Sequence, residues 1–430
     1  ESSANRLFSF LYMFLTGSED RQDLLLNRRR PYHTEEKALK GNYGALNDLI
    51  KKERSSRDLF FVIGPPGSGK TSRALRHMVE EELRNDTQHL LIMAYTNQAV
   101  DEICGMLDRI CEDEPDLLTD YLRIGSMLTA DKRYHQHFLD ERCARIRNAG
   151  ELRLLLTGTK VYVGTTSSIS AQAELLGKIH FSVAFIDEAS QILEPQMLGL
   201  LFARQWRDGA WQDSIGRFVM IGDQKQLPAV VQQSTDESAV KEACLLEIGL
   251  HDCRNSLFER LLAACQALHE THSFALLETQ GRMHPQLFKF VNEHFYSNHL
   301  HCVPLAHQKR GIDELYPLVG NRQPALALST NRMAFFHCLP DEKGFNGKQN
   351  IAEARLAVRC IKELQSLYKA HRQALNAADV GIIVPYRNQI AAIRKEMENQ
   401  DVRGLENITI DTVERFQGSQ RDIIFYLFTV

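Results

Sequence analysis

Short apolar runs recur along the chain, and several of them end in small or polar residues. In the first half they are Leu59 to Ile63, His89 to Ala94, Val161 to Thr166, Val183 to Glu188 and Phe218 to Ile221. Runs of this length are typical of buried parallel strands. In an open α/β sheet, ligand contacts come from the carboxyl ends of such strands. The pattern therefore predicts one mononucleotide-binding sheet that is complete by about residue 275.

The second half of the chain repeats this kind of pattern. Ala334 to Cys338, Val380 to Val384 and Ile423 to Leu427 are apolar runs, and Asn350 to Tyr368 is patterned as an amphipathic helix. We therefore predict an α/β fold with two parallel-sheet domains, at 41–275 and 276–430. A helical extension over 1–40, centred on the apolar run Leu7 to Leu15, precedes them, and a helical insertion occupies about 110–160 of the first domain.

Composition narrows the class of protein. The 430 residues are 43% hydrophobic and 25% charged, with a net charge of −4, as in a soluble globular protein. This charge gives no global signal for nucleic acid or membrane, so a nucleic-acid partner needs a local basic groove. The nine cysteines form no CxxC pair. They predict reduced thiols in a cytoplasmic or nuclear protein and argue against a zinc or iron–sulfur site.

A glycine-rich turn between the first strand and a helical pattern fits the phosphate-loop spacing GxxxxGK[ST]. Its residues are Gly64, Pro65, Pro66, Gly67, Ser68, Gly69, Lys70 and Thr71. Backbone N–H groups of such a loop wrap a phosphate, and the following helix adds positive charge at its N-terminus. Lys70 would reach the β- and γ-phosphates, and Thr71 would bind Mg²⁺. The alternative is a glycine-rich turn that binds nothing.

Two carboxylates close another apolar run. Asp187 and Glu188 follow directly on Val183 to Ile186. We expect Asp187 to hold Mg²⁺ and Glu188 to deprotonate the attacking water. A third polar strand end contains Gln226, which is placed to sense the γ-phosphate. With the phosphate loop, these residues predict hydrolysis of ATP or GTP.

Short polar side chains follow two further strands. Thr96 and Asn97 follow His89 to Ala94, and Thr165 and Thr166 end the run that begins at Val161. We expect these side chains to contact a nucleic-acid backbone. For Thr96 and Asn97 the residues alone leave an ordinary helix cap as an equal alternative.

Eight segments together carry a family resemblance. In order they are GPPGSGKT, AYTNQAVDEI, VGTTSS, FIDEASQ, GDQKQLP, QGRMHP, GIIVPYRNQ and TVERFQGSQRD. The set resembles superfamily-one B helicases, in the branch containing the nonsense-mediated-decay RNA helicase and the Okazaki-fragment helicase–nuclease. The resemblance implies two RecA-like domains that bind ATP and Mg²⁺ between them, and a single strand of DNA or RNA across their tops. It also implies 5′-to-3′ movement.

The resemblance also assigns residues to roles. Lys70, Thr71, Asp187, Glu188 and Gln226 would form one side of the ATP site. Arg282 would be the arginine finger of the second domain. The nucleic-acid track would include Thr166, Pro385, Tyr386, Thr412 and Gln417.

The chain also departs from the family pattern. Gly281 stands where relatives often have an aromatic residue that stacks on adenine, and 44–52 contains no glutamine to recognise adenine. Gln420 stands where a glutamate commonly binds the ribose. The family's last motif, with a second arginine, is expected beyond Val430, so the chain resembles part of a longer protein.

These observations predict an ATP-dependent translocase or helicase on single-stranded nucleic acid, with no membrane partner. One alternative is a nucleotide-switched nucleic-acid-binding module. Another is the motor part of a larger helicase–nuclease in repair or defence. The track motifs address the strand backbone, so they do not separate DNA from RNA.

Overall fold

The computed structural model describes residues 3–87, 89–309, 328, 332–338, 348–370, 372–416 and 419–429. The chain divides into two compact units. The first comprises Glu1–Arg282 and His299–Val303, and the second comprises Met283–Asn298 and Pro304–Val430. Residues 276–282, which the pattern assigned to the second domain, group with the first unit in this division.

A parallel sheet forms the centre of the first unit. The strands described in this unit are β1 (Leu59–Ile63), β2 (Leu90–Ala94), β3 (Leu122–Ile124), β4 (Val161–Thr165), β5 (Phe181–Asp187), β6 (Arg204–Arg207), β7 (Ala210–Asp213), β8 (Ile215–Gly222), β9 (Phe274–Leu276), β10 (Thr279–Gln280) and β11 (His301–Cys302). Seven of them pair in parallel in the order β3-β4-β2-β5-β8-β1-β9. All five strands predicted for the first domain are members of this sheet, so that prediction is confirmed.

Helices cover both faces of this sheet. They are α1 (Ser3–Leu15), α2 (Glu19–Leu25), α3 (Asn47–Ser55), α4 (Arg76–Arg84), α5 (Asn97–Asp113), α6 (Leu139–Cys143), α7 (Ala149–Gly158), α8 (Thr166–Ser170), α9 (Ala173–Leu176), α10 (Glu194–Leu201), α11 (Thr235–Ser238), α12 (Ala243–Glu247) and α13 (Leu257–Ala267). Successive side chains of a strand point to opposite faces. Accordingly, Phe61 of β1 lies in one buried cluster and Phe60 in a second one. The carboxyl ends of the strands are thereby held at one edge of a rigid layer.

The N-terminal helix α1 packs on the first unit. The rings of Phe14 and Phe202 meet edge to face with centroids 5.1 Å apart. Phe10 approaches Gly199 of α10 so closely that a Cβ there would lie 2.4 Å from its ring. The apolar run at Leu7 to Leu15 is therefore a helix packed on its neighbour, as predicted. Among the described residues, no helix is both long enough and apolar enough to cross a bilayer.

The segment at 110–160 differs from a purely helical insertion. Besides α6 and α7, it contributes β3, which pairs with β4 at the edge of the sheet. Arg123 of β3 is buried, and its Nη1 lies 2.5 Å from Asp101 Oδ1 of α5. Three residues are too few to produce a recognisable strand pattern, and the pairing with β4 defines this strand.

A two-stranded antiparallel hairpin, β6–β7, precedes β8 and was not predicted. Its turn residues Asp208 and Gly209 have φ of 53° and 81°. Such positive values are typical of tight two-residue hairpin turns. The hairpin exposes the rings of Trp206 and Trp211, which meet edge to face.

The second unit contains a three-stranded parallel sheet. Its strands are β12 (Val380–Val384), β13 (Thr409–Thr412) and β14 (Ile423–Tyr426), in the order β13-β12-β14. Its helices among the described residues are α14 (Pro285–Phe295), α15 (Ala306–Lys309), α16 (Ile351–Ala370), α17 (Arg387–Asn399) and α18 (Val413–Phe416). The predicted strands at 380–384 and 423–427 and the predicted helix at 350–368 are confirmed.

The predicted strand Ala334 to Cys338 is wrong. These residues are described, but they form no strand with any other described residue. Phe335 is 78% exposed, and its ring meets that of Phe428 edge to face, with centroids 6.1 Å apart. An apolar run becomes a strand only where a neighbouring strand pairs with it. By contrast, Thr409–Thr412 was not predicted as a strand, but it forms one by pairing with β12.

Candidate functional site

The loop from Gly64 to Gly69 joins β1 to a helical turn, Lys70–Leu75, that continues into α4. Gly67 and Gly69 have φ of 73° and 81°, a region that residues other than glycine rarely adopt. The side chain of Lys70 folds over Gly64, where a Cβ would lie 2.0 Å from Lys70 Cγ. The predicted strand, loop and helix are therefore present, and two glycines are required by backbone angle.

The first helical turn after the loop is wider than a regular α-helix. The backbone N–H groups of Arg73 and Ala74 both donate to the carbonyl oxygen of Gly69, each at 3.0 Å. This leaves the N–H groups at the start of the helix to face the loop. Unpaired N–H groups at a helix N-terminus favour a bound anion.

Four predicted residues meet beside this loop. Thr71 Oγ1 donates a hydrogen bond of 2.7 Å to Asp187 Oδ2. Lys70 Nζ lies 3.2 Å from Glu188 Oε1. Asp187 ends β5 and is buried, whereas Glu188 follows it with φ of 54°. A left-handed glutamate is uncommon and marks local strain of the kind found at functional sites.

The electrostatics of this cluster are dominated by the paired carboxylates. Burial, and then the charge of Glu188, raise the pKa of Asp187, while Lys70 and the hydrogen bond from Thr71 oppose the rise. A buried carboxylate whose pKa is raised lacks sufficient positive charge around it. Thr71 and Asp187 place two side-chain oxygen atoms next to each other, and such a pair could hold a cation.

Gln226 lies beside the first residue of the loop. Its Nε2 donates to Asp223 Oδ2 at 2.7 Å and to the carbonyl oxygen of Gly64 at 3.3 Å. Asp223 is buried directly after β8. The Gln226 amide is thus held beside the phosphate loop, and its contact with a γ-phosphate stays a prediction.

Arg282 follows β10 closely and lies against the loop in the same unit. The N–H of Gly281 donates to the carbonyl oxygen of Gly67 at 2.8 Å. A Cβ on Gly67 would lie only 2.4 Å from Arg282 Cβ. Arg282 itself is exposed. The backbone of Arg282 is therefore fixed next to the loop, and its charged end faces solvent.

The polar residues predicted for the track in the first unit lie at the carboxyl ends of β2 and β4, which are neighbours. Thr96 Oγ1 accepts from the N–H of Ala99 at 3.2 Å, so Thr96 caps α5. Thr165 Oγ1 accepts from the N–H of Ser168 at 3.1 Å and caps α8, which Thr166 begins. The helix cap that was the alternative for Thr96 is present.

Asn97 is held by a loop that the sequence did not associate with it. Its Nδ2 donates to Thr129 Oγ1 at 3.0 Å. Thr129 follows β3, so polar groups from the ends of β2, β3 and β4 lie along one sheet edge. The short β3 gave no pattern that would have predicted this contact.

The remaining track residues belong to the second unit. Pro385 and Tyr386 follow β12, and Thr412 ends β13, where it pairs with Val384. Tyr386 is 41% exposed, whereas Thr412 is buried. Gln420 is exposed. Gln417 lies outside the described residues.

The sequence did not single out Glu102, which belongs to the charge environment of the site. Burial, then the charges of Asp187 and Glu188, raise the pKa of Glu102, and the charges of Arg282 and Lys70 lower it. The side chain of Glu102 is exposed on α5. The available signal was its position within AYTNQAVDEI, five residues after Asn97.

Comparisons with known proteins show which protein family the chain matches. Two family models, both described as AAA domain, match residues 45–154 and 142–234 in one case and residues 253–429 in the other. The DNA replication ATP-dependent helicase/nuclease DNA2 of Xenopus laevis is 26% identical over 415 residues, which are 91% of this chain and 34% of that protein. Regulator of nonsense transcripts 1 of Dictyostelium discoideum is 25% identical over 455 residues, 97% of this chain and 30% of that protein.

The chain belongs to the Upf1-like superfamily-one B helicases. The expected family is thereby confirmed, and the strand pairing described above confirms the expected α/β fold with parallel sheets in two units. The DNA polymerase alpha-associated DNA helicase A of Saccharomyces cerevisiae is another relative, 24% identical over 426 residues, 86% of this chain and 57% of that protein. The chain spans about a third of the length of the helicase/nuclease relatives that it matches.

Proposed function

We propose that this chain hydrolyses ATP with Mg²⁺ to move along, or unwind, single-stranded DNA or RNA in the 5′-to-3′ direction. The observation that carries the proposal is the pair of contacts at the phosphate loop. Thr71 donates to Asp187 at 2.7 Å, and Lys70 lies 3.2 Å from Glu188. A hydroxyl, carboxylates and an ammonium group recur together at phosphate loops that transfer a γ-phosphoryl group.

The residues present fit Mg²⁺. Thr71 and Asp187 supply oxygen atoms, which this cation prefers, and Mg²⁺ is commonly bound through one or two carboxylates and substrate phosphates. The raised pKa of Asp187, caused by burial and by Glu188, supports a need for positive charge here. Bound Mg²⁺ would neutralise charge on the phosphates.

The loop fits the phosphates of ATP. Residues 64–69 lie directly before the helix that begins at Lys70, and the backbone N–H groups of a loop in this place can bind phosphate. In this proposal Lys70 exchanges its contact with Glu188 for the β- and γ-phosphates. The exchange frees Glu188 to accept a proton from the attacking water.

Gln226 and Arg282 would act on the γ-phosphate. Gln226 is held by Asp223 beside Gly64, so its amide is fixed before ATP binds. Arg282 has its backbone against Gly67 and an exposed side chain, so its guanidinium can stabilise charge in the transition state. Both roles depend on the position of the side chain. In a preorganised site the groups need no rearrangement when the reaction occurs.

Contacts to nucleic acid would come from the strand ends. Thr96, Asn97, Thr165 and Thr166 lie at the ends of neighbouring strands β2 and β4. Backbone N–H groups and hydroxyls at such edges can bind phosphate oxygens, and an exposed ring such as Tyr386 can stack on a base. Contacts of this kind are independent of sequence, as a motor requires.

Two other functions remain open to test. In a nucleotide-switched binding module, ATP would change the affinity for a strand without driving movement. The chain could instead be the motor of a larger helicase–nuclease, and the similarity to proteins named helicase/nuclease favours this version. We further propose a cytoplasmic or nuclear location, which the nine cysteines free of disulfide bonds support.

ATPase measurements test the main proposal. Initial rates are measured without nucleic acid and with saturating single-stranded DNA or RNA of equal length. We expect either strand to raise the rate, and the larger effect identifies the preferred polymer. A rate that no single strand changes, together with tight strand binding, would instead support the switched module. A fluorescently end-labelled strand then reports the direction of movement.

A further inference from the structure

Gln280 is a fully buried residue that contacts Arg282 through a hydrogen bond. It lies in β10, next to β11, in the first unit. Its Oε1 accepts from the backbone N–H of Arg282 at 2.9 Å. Its Nε2 lies 2.8 Å from the Sγ of Cys302, in β11. One amide group therefore joins the backbone of Arg282 to the thiol of Cys302. Helix α14 lies between these two residues in the sequence.

The backbone around Gln280 is fixed on both sides. The N–H of Val303 donates to the carbonyl oxygen of Gln280 at 2.8 Å, and the N–H of Gly281 donates to that of Gly67 at 2.8 Å. The Gln280 side chain adds a third restraint, which acts on Arg282, two residues further along the chain. Three consecutive residues are thereby tied to the phosphate loop and to β11.

These restraints fix the position of the Arg282 backbone and do not involve its guanidinium group. Arg282 is exposed, and its backbone and Cβ are so close to Gly67 that a methyl group would not fit between them. A long side chain can stabilise a transition state only if its Cα and Cβ atoms lie within reach of the reacting group and point towards it. A displacement of about 1 Å can lower a catalytic rate by roughly 10²-fold.

We propose that Gln280 is the positioning residue for Arg282, and that the thiol of Cys302 sets the orientation of the Gln280 amide. The inference rests on the proposed function, since it assumes that Arg282 acts in ATP hydrolysis. Without an acceptor at position 302, the Gln280 amide loses its contact with the Cys302 thiol, and the side chain is held less firmly towards the Arg282 N–H. Substitution at Cys302 therefore changes hydrolysis through two intervening contacts.

A competing explanation is that Gln280 only satisfies buried polar groups. In that case its loss would destabilise the first unit, and the effect on turnover would be independent of Arg282. A double-mutant cycle separates the two explanations, because residues acting as a unit give non-additive effects.

The test uses the complete protein with Gln280→Leu, Arg282→Ala and the double variant. Turnover number and KM for ATP are measured with saturating single strand, and ATP affinity is measured with a fluorescent analogue. We expect Arg282→Ala to lower kcat by about 10³-fold, as for loss of an arginine finger. Gln280→Leu should lower kcat by about 10²-fold, with KM within about twofold. The double variant should match Arg282→Ala.

Two variants of Cys302 provide a matched pair in case Gln280→Leu does not fold. Cys302→Ser keeps an acceptor for the amide, whereas Cys302→Val fills the space without one. We expect near-normal kcat for the first and a fall close to that of Gln280→Leu for the second. Equal kcat values in the two variants would overturn the role of the thiol.

Other outcomes separate this inference from the proposed function. If Arg282→Ala lowers kcat and the two losses multiply in the double variant, Gln280 is not a positioning residue and the proposed function stands. If Gln280→Leu raises the KM and weakens ATP binding, the residue supports the phosphate loop and the inference fails. If Arg282→Ala leaves kcat unchanged, the inference and the role of Arg282 fail together.

Discussion

Gly67→Ala should displace Arg282 and thereby reduce ATP turnover. The new Cβ would lie 2.4 Å from Arg282 Cβ and 3.0 Å from its backbone nitrogen, whereas ordinary contacts begin at 3.4 Å. Arg282 must therefore move by about 1 Å, the difference between 3.4 and 2.4 Å. That movement would lengthen the hydrogen bond from Gly281 to Gly67, now 2.8 Å, beyond bonding distance. A shift of this size predicts a fall in kcat of roughly 10²-fold.

The chain offers a matched control at Gly209. Gly209 has φ of 81°, close to the 73° of Gly67, but nothing lies within 4 Å of the place where its Cβ would be. Both substitutions place a side chain in the left-handed region, which lowers the unfolding free energy by about 1–2 kcal/mol. Only Gly67→Ala adds a collision with Arg282. If Gly67→Ala and Gly209→Ala lose the same stability but only Gly67→Ala loses turnover, the collision with Arg282 explains the lost turnover.

The assay combines initial ATPase rates at saturating strand with urea denaturation of each variant. In an Arg282→Ala background, Gly67→Ala should lower kcat little further, because the guanidinium it displaces is already absent. Near-normal kcat for Gly67→Ala would refute the reasoning. A large additional loss in the Arg282→Ala background would show that the alanine acts on the phosphate loop itself.

Three further predictions concern other parts of the chain. Glu188→Gln should keep ATP binding and lower turnover by roughly 10²-fold or more, because the amide cannot accept the proton of water; unchanged single-turnover rates would remove this role. Affinity for a short single strand, followed by fluorescence anisotropy, should fall steeply between low and high salt as counterion release weakens; a flat response would argue against a phosphate track. Burial, opposed by Arg217, raises the pKa of Glu53 from 4.5 to about 7. Since the folded state then binds the proton more tightly, the Glu53 contribution to unfolding free energy is fully present below pH 4.5 and is lost as pH rises to about 7. Urea denaturation of Glu53→Gln should lack this pH dependence.

The sequence by itself determined the parts of the site that depend on local order. An apolar run followed by a glycine-rich turn and Lys70 specifies a strand, a loop and a helix, and all three are present. Asp187 was predictable because a buried strand must end where its apolar residues end. The carboxyl ends of parallel strands share one edge, so the meeting of Thr71 and Asp187 followed from two local patterns.

Only the tertiary structure decided which distant segments touch. β3 and β13 are strands because β4 and β12 pair with them, whereas the equally apolar Ala334 to Cys338 has no pairing among the described residues. The contact of Gly67 with Arg282, and the link from Gln280 to Cys302, join positions that no periodicity relates. Periodicity along a chain records how deeply each residue is buried, but a hydrogen bond depends on the partner that folding brings within about 3 Å. The residue types of the proposed ATP site could therefore be predicted from the sequence, whereas the restraint on Arg282 depends on how β10 and β11 pack beside the phosphate loop.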